Sequence, residues 1–212
     1  MTLPGDPLAG VVDDPAFRER YELKERIGSG AYASVWRAVR RSTGEAVAVK
    51  ILALDDAGPV ALDAQLERRR HEVAVCRRLL HPNVVRLVDS GGAGRRSVWA
   101  AFAHVDGWNL ADLITLHGPL PRATALHLMA QVLDALASAH ASGVIHRDVK
   151  PDNVVVRQGD DGPVAMALDF GIGVLAGASD RWGSPSSAGR ELLGTPAYAA
   201  PEQLRGESAP AA

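Results

Sequence analysis

The sequence has little of several features that mark particular classes of protein. It contains a single cysteine, Cys76, so no internal disulfide can form and a reducing compartment is expected. No apolar run is long enough to span a bilayer, and the first residues do not resemble a signal peptide. We therefore expect a cytoplasmic location and no membrane segment. The 25 acidic and 23 basic residues nearly balance, which argues against nucleic acid as a partner.

The remaining composition is that of a globular protein, and its pattern changes along the chain. The 212 residues are enough for one large domain or two small lobes. Residues 1–17 are rich in proline and glycine and predict a flexible leader. Alternating apolar residues then predict strands, followed by one helix and two more strands. The predicted strands are 21–27, 35–39, 46–52, 84–89 and 97–103, and the predicted helix is 65–80.

Beyond His104 the pattern becomes mainly helical. Helices are predicted at 110–116 and at 121–142, and short strands at 154–156 and 164–168. The apolar face predicted for the second helix consists of Leu126, Met129, Leu133 and Leu136. A sheet-rich first half and a helical second half predict two lobes with a boundary near residues 105–107.

The most informative stretch is His146 to Asn153, which places Asp148, Lys150 and Asn153 in fixed register. Phosphoryl transfer needs a carboxylate to orient the attacking hydroxyl, an ammonium to offset phosphoryl charge and an oxygen ligand for Mg²⁺. A second acidic residue able to bind metal, Asp169, follows sixteen positions after Asn153. The ring of His146 is interpreted as a packed core group rather than a base.

A glycine-rich turn and a lysine add a second candidate site. Gly28 and Gly30 would let backbone N–H groups approach phosphates, although a plain structural turn or a dinucleotide fingerprint fits this motif as well. The strand pattern that follows the turn favours a hairpin lid. Lys50 shares a strand face with the small Ala48, yet a strand lysine is usually only a solvated edge residue. Glu72 is the candidate carboxylate to orient Lys50, or else a surface helical residue.

In this order the motifs resemble those of the eukaryotic-like (Hanks-type) serine/threonine protein kinases, over roughly residues 21–203. Lys150, two positions after Asp148, resembles the serine/threonine rather than the tyrosine members, and the segment from Gly194 onwards resembles bacterial members. The motifs that carry the resemblance are Gly28-x-Gly30-x-x-Ala33-x-Val35, Val47-Ala48-Val49-Lys50, Glu72, His146-Arg147-Asp148, Asn153, Asp169-Phe170-Gly171 and Ala200-Pro201-Glu202.

The resemblance implies a fold and a set of roles. The fold would be α+β and two-lobed, with an antiparallel sheet and one helix in residues 18–104 and a mainly helical lobe in residues 105–212. Asp148, Lys150, Lys50 and Glu72 would be catalytic, and Asn153 and Asp169 would hold Mg²⁺, with Mn²⁺ as a substitute. The residues implied for ATP binding are Ile27, Gly28, Ser29, Gly30, Val35, Ala48, Lys50, Ala103 and Val105. The implied partners are ATP and a protein with a serine or threonine hydroxyl, with self-association allowing autophosphorylation in residues 172–193.

The sequence departs from the family pattern at two places. Ala33 replaces the third glycine, and only ten residues follow Glu202 where the family continues into several large helices. We therefore expect a C-lobe without its last helices, impaired activity and a partly bare apolar surface on the helix after Pro121. Two alternatives to an active protein kinase stay open: a non-catalytic nucleotide-binding or scaffolding module, and a phosphotransferase acting on a small molecule.

Overall fold

The computed structural model describes residues 7–29, 33–53, 73, 76–93, 97–170 and 196–205. The chain divides into two compact units. The first comprises Met1–Arg77 and Arg86–His104, and the second comprises Arg78–Val85 and Val105–Ala212. The short segment 78–85, which the sequence placed in the first lobe, therefore belongs to the second unit.

The first unit contains a five-stranded antiparallel sheet in the order β1-β2-β3-β5-β4. Its strands are β1 (Tyr21–Ser29), β2 (Ala33–Arg40), β3 (Ala46–Ala53), β4 (Leu87–Ala93) and β5 (Ser97–Ala103). The predicted antiparallel sheet is thus confirmed, although β4 begins three residues later than expected. Val84 instead pairs with Ala167, which lies in the sheet of the second unit. The neighbours of Val84 make the hydrogen bonds of this pairing: Val85 N donates to Ala167 O, and Ala167 N donates to Asn83 O. The helix predicted at 65–80 lies mostly outside the described residues.

The start of the chain is the first correction to the sequence-based predictions. A flexible leader was predicted over residues 1–17, but the described part of this segment and the three residues after it form two short helices, α1 (Pro7–Val12) and α2 (Pro15–Arg20). The Asp14 carboxylate caps α2 by accepting hydrogen bonds from two backbone amides of its first turn. Val11 and Phe17 are buried in the core of the first unit. The apolar side chains of this segment stabilise it because they leave water.

These two helices cover one face of the sheet. The alternating residues Val47, Val49 and Ile51 of β3 belong to the same buried cluster as Val11 and Phe17. The opposite face of β3 therefore carries Ala48 and Lys50, which both remain partly exposed. The N-terminal helices thus occupy the face away from Lys50.

A polar cluster borders this core where α2 meets β1. The Arg20 guanidinium pairs with the Asp89 carboxylate at 2.8 Å and stacks 4.9 Å from the Trp99 ring centroid. The Tyr21 hydroxyl donates to the same carboxylate at 3.1 Å, while Arg77 approaches its other oxygen at 3.3 Å. Burial, and then the negative charge of Asp89, raise the pKa of Tyr21 to about 12. The cluster joins the N-terminal segment to β4.

The second unit combines a small antiparallel sheet with two longer helices. The sheet consists of β6 (Trp108–Asn109), β7 (Val154–Gly159) and β8 (Gly162–Ala167), in that order. The helices are α3 (Leu110–His117) and α4 (Arg122–Ala141), and a short α5 (Pro201–Arg205) follows later. Single 3₁₀ turns are formed by Pro151–Asn153 and Pro196–Tyr198. No helix in the described part of the chain is long and apolar enough to cross a membrane.

The buried face of α4 differs from the predicted one. Leu126, Met129 and Leu133 are each more than half exposed, and only Leu136 of the predicted set packs against the core. The residues that α4 buries are Leu128, Val132, Ala135 and Ala139. Apolar residues surround most of this helix, so its sequence alone did not identify the stripe that contacts β7 and β8. The exposed stripe agrees with the expectation of bare apolar surface on this helix.

Candidate active site

Two predicted catalytic residues of the second unit, Asp148 and Lys150, and the predicted metal ligand Asn153 meet at the Asp148 carboxylate. The side-chain amide of Asn153 donates to Asp148 Oδ2 at 2.9 Å and to the Asp148 backbone carbonyl at 2.7 Å. The Lys150 ammonium lies 3.0 Å from the same Oδ2. Pro151 begins a 3₁₀ turn that closes with a hydrogen bond from Asn153 N to Lys150 O, which brings Asn153 back to Asp148. The structure thus brings Asp148, Lys150 and Asn153 together.

The Asp148 carboxylate is anchored through one oxygen only. The contacts with Asn153 and Lys150 both use Oδ2, and Oδ1 has no hydrogen-bond partner among the described residues. The Asp148 side chain is 37% exposed, whereas that of Lys150 is 17% exposed. An oriented carboxylate with one accessible oxygen can accept a hydrogen bond from an incoming hydroxyl.

His146 supports this loop from the protein interior. Its ring is buried, lies 2.8 Å through Nε2 from the Leu168 carbonyl, and accepts a 3.3 Å hydrogen bond from the Asp148 amide at Nδ1. The neutral tautomer with hydrogen on Nε2 satisfies both contacts. Burial lowers the pKa of His146, which favours this neutral form. The ring also packs edge-on against Phe170 at 4.7 Å.

Two residues near this carboxylate have an uncommon backbone conformation. Among the described residues other than glycine, Arg147 and Asp169 have positive φ, at 64° and 58°. Such conformations are costly for residues with a side chain and persist where surrounding contacts impose them. Leu168 N donates to Asn153 O at 2.9 Å, so the backbone enters Asp169 directly beside Asn153. The backbone segments that carry the two predicted metal ligands, Asn153 and Asp169, are therefore joined by this hydrogen bond.

Asn109 is a residue of this region that the sequence analysis missed. Its Oδ1 accepts hydrogen bonds from the first amides of α3, and its Nδ2 donates to the Asp152 carbonyl at 2.6 Å. The sequence does contain a signal for this role, because an asparagine directly before a helical apolar run is a typical N-cap. The contact fixes the start of α3 to the turn that carries Asn153.

In the first unit, the register of the strands gathers several of the residues predicted to bind ATP. Val35 of β2 pairs with Lys50 of β3, and Lys50 pairs in turn with Ala100 of β5. Directly paired residues point to the same side of a sheet, so these side chains share one face. Ala48 lies on that face as well, two positions before Lys50.

The turn of the β1–β2 hairpin is described only in part. Gly28 pairs with Val35, and a Cβ on Gly28 would lie 3.5 Å from the Val35 Cβ. Ser29 is the last residue of β1, and Ile27 is 49% exposed. The predicted site residues Gly30 and Glu72 lie outside the described residues.

Ala103 and Val105 were predicted to contact adenine through backbone atoms. Ala103 ends β5, and its N–H donates to the Arg86 carbonyl at 2.9 Å. A backbone contact from Ala103 to a nucleotide would therefore have to use its carbonyl. Ala103 is part of the first unit and Val105 begins the following segment of the second.

Solved structures share this fold. The chain resembles the crystal structure of Rad53 1–466 in complex with AMP-PNP, with a TM-score of 0.61 and 30% identity, covering 74% of this chain and 40% of that one. It also resembles the PknI kinase domain of Mycobacterium tuberculosis, with a TM-score of 0.59 and 29% identity, covering 72% and 60% of the two chains. The predicted α+β protein kinase fold is thereby confirmed.

Sequence comparison gives the family. Residues 21–211 match the protein kinase domain family, and the chain belongs to it. Serine/threonine-protein kinase PkaA of Streptomyces coelicolor is 39% identical over 200 residues, and pkn3 of Myxococcus xanthus is 35% identical over 191. These matches cover 88% of this chain but 35% and 34% of the relatives. The chain spans about a third of the length of these curated relatives.

Proposed function

We propose that this chain transfers the γ-phosphoryl group of ATP to a serine or threonine hydroxyl of a protein. The observation that carries the proposal is the arrangement of Asp148, Lys150 and Asn153 around one partly exposed carboxylate. Two further observations support it: the relatives named as serine/threonine protein kinases, and the AMP-PNP complex of the similar Rad53 structure.

Asp148 orients the attacking hydroxyl in this proposal. Its Oδ2 is fixed by Asn153 and Lys150, so Oδ1 faces a substrate with a defined direction. The carboxylate accepts the hydroxyl proton as the bond from the hydroxyl oxygen to the γ-phosphorus forms. The bond from that phosphorus to the β–γ bridging oxygen breaks at the same time, and ADP leaves. The Lys150 ammonium, 3.0 Å from Asp148, offsets negative charge on the transferred phosphoryl group.

Lys50 and the residues on its face of the sheet bind the nucleotide. The Lys50 ammonium holds the α and β phosphates, with Glu72 proposed as its partner. The small Ala48 leaves space for a flat ring, and Ile27 and Val35 cover the ring from the hairpin. Ala103 and Val105 contribute backbone contacts, while Gly28, Ser29 and Gly30 bring backbone amides to the phosphates.

The donor set in the second unit fits Mg²⁺. Asn153 uses its amide nitrogen for Asp148, so its carbonyl oxygen is the atom that would contact a metal, together with the Asp169 carboxylate. The described residues contain no cluster of three or more His, Cys, Asp or Glu able to hold a metal. Two oxygen ligands suit Mg²⁺, which shares its coordination with phosphates. When bound, the ion would neutralise phosphate charge.

The test is a transfer assay with radiolabelled ATP, Mg²⁺ and a generic protein substrate. We expect label on the substrate, and its loss in Asp148→Asn. Asp161→Asn is the matched control, because Asp161 is an exposed residue of the β7–β8 turn. ATP binding is measured in parallel with Lys50→Met, which should weaken it, and with Lys24→Met, an exposed β1 lysine, which should not. ATP binding without label transfer would instead indicate a non-catalytic nucleotide-binding module.

A further inference from the structure

Gln203, in the short helix α5, connects that helix to the loop that carries Asp148 (residues 146–153, the catalytic loop). One end of its side-chain amide bonds to the residue just before α5, and the other end bonds to the loop. Its Oε1 accepts a hydrogen bond from Ala200 N at 3.0 Å. Its Nε2 donates to the backbone carbonyl of Arg147 at 2.8 Å, across 56 positions of sequence. Neither contact belongs to a helix or sheet ladder, so each depends on this side chain.

The carbonyl that Gln203 contacts belongs to the peptide unit between Arg147 and Asp148. The N–H of the same unit donates to His146 Nδ1 at 3.3 Å. The unit is therefore held at its oxygen by Gln203 and at its nitrogen by His146. Arg147 has φ of 64°, a conformation that needs external contacts to persist. A rotation of this peptide unit would move the Asp148 side chain.

We propose that Gln203 is a positioning residue that fixes the Arg147–Asp148 peptide unit and thereby the direction of the Asp148 carboxylate. The proposal rests on the proposed phosphoryl transfer for its kinetic consequence. A carboxamide is suited to the position, because it donates to a carbonyl and accepts from an N–H at once. Glutamate could keep only the contact to Ala200, and methionine could keep neither.

Two substitutions separate the contacts. Gln203→Glu retains an acceptor for Ala200 N and removes the donor to the Arg147 carbonyl, while Gln203→Met removes both without adding charge. In each we expect kcat to fall about three- to tenfold, the size that corresponds to one lost hydrogen bond. KM for ATP should stay unchanged, because the two hydrogen bonds of the Gln203 side chain go to Ala200 and Arg147, neither of which is proposed to bind the nucleotide. Gln158→Glu is the control, since the Gln158 side chain is exposed on β7 and, within the described part of the chain, bonds only to the neighbouring Gly159 carbonyl.

Amide hydrogen exchange of the full chain supplies a readout that does not depend on activity. Both Gln203 variants should speed exchange in residues 145–153, and Gln158→Glu should leave it unchanged. Unaltered kcat together with unaltered exchange in the Gln203 variants would overturn the proposal, as would an equal rise in KM for ATP. If the unsubstituted chain neither binds ATP nor transfers label, the proposed function fails. The exchange rates alone then decide whether Gln203 holds the loop.

Discussion

Asn153 and Asp148 form a side-chain pair in which one amide nitrogen contacts both the backbone carbonyl and the carboxylate of the aspartate, at 2.7 and 2.9 Å. The pair fixes the carboxylate relative to its own backbone. It also sets the direction of the remaining Asn153 oxygen, because the two ends of a carboxamide point apart. The proposed base and the proposed metal ligand are thus oriented by one another.

Replacement of Asn153 by alanine should therefore lower phosphoryl transfer by about a hundredfold, the size of effect expected when reacting groups are misplaced. The concentration of Mg²⁺ needed for half-maximal activity should also rise, because one oxygen ligand is lost. Steady-state kinetics over a Mg²⁺ series measures both quantities. Gln158→Ala, on the exposed side of β7, should change neither. An Asn153→Ala variant with normal transfer would contradict the pairing.

Two adjacent valines of α1 test whether the N-terminal segment is part of the first unit's core. Val11 is fully buried and Val12 is 38% exposed. Val11→Ala should lower the free energy of unfolding by about 2 kcal/mol, because two buried methyl groups are lost. Val12→Ala should lower it by less than about 0.5 kcal/mol. Urea denaturation measures both, and equal effects would mean that α1 does not pack as described.

A similar pair on α4 tests which stripe of that helix is buried. Leu128 is 3% exposed and Leu126 is 60% exposed. Leu128→Ala should lower the free energy of unfolding by about 2–5 kcal/mol, whereas Leu126→Ala should cost less than about 1 kcal/mol. The comparison uses the same substitution two positions apart. The reverse order would restore the face predicted from the sequence.

The raised pKa of Tyr21 predicts that the folded chain loses stability in strongly alkaline solution. Its pKa is about 12 in the folded chain against an ordinary value near 10, so the folded state disfavours the phenolate. This stabilisation is complete below about pH 10 and is lost as the pH rises from about 10 to 12. Denaturation midpoints measured across this window should fall more steeply for the unsubstituted chain than for Tyr21→Phe. Parallel curves would contradict the raised pKa and therefore the burial of the Tyr21 hydroxyl beside Asp89.

The lowered pKa of His146 predicts that the folded chain loses stability in acidic solution. Its pKa is lowered from an ordinary value near 6.5, so the neutral ring contributes stability that is present above this pH and lost as the pH falls through the folded pKa. Nitrogen-15 NMR of the imidazole should show a neutral ring with hydrogen on Nε2 that becomes charged only at a lower pH than the imidazole of an exposed histidine. A His146 ring that becomes charged together with the exposed histidines would contradict the hydrogen bond that it accepts from Asp148 N.

The parts of the molecule that sequence could predict are those governed by local pattern. The alternation from Ala46 to Leu52 predicted β3, and a proline directly before Asp152 and Asn153 is typical of the tight turn that closes the loop. Asp148, Lys150 and Asn153 lie within six residues, so their proximity follows from short-range geometry. The contact between Gln203 and Arg147 joins distant segments and has no local signal.

Two predictions failed for physical reasons that can be named. Prolines in residues 1–17 were interpreted as loop formers, yet Pro7 and Pro15 stand at the first positions of α1 and α2, where proline is favoured. The apolar face of α4 was predicted from its large side chains alone, which are Leu126, Met129, Leu133 and Leu136. The residues of α4 that pack with the sheet residues Val154 and Ala165 are Leu128 and Val132, on a different side of the helix from the predicted stripe.

The burial of Val11 and Phe17 affects how this kinase domain should be delimited for expression. The family match begins at Tyr21, ten residues after Val11. A recombinant fragment started at that position would lack the helices that cover Val47, Val49 and Trp99, and would present these side chains to solvent. Aggregation of such a fragment would then reflect a misplaced boundary rather than an unstable domain.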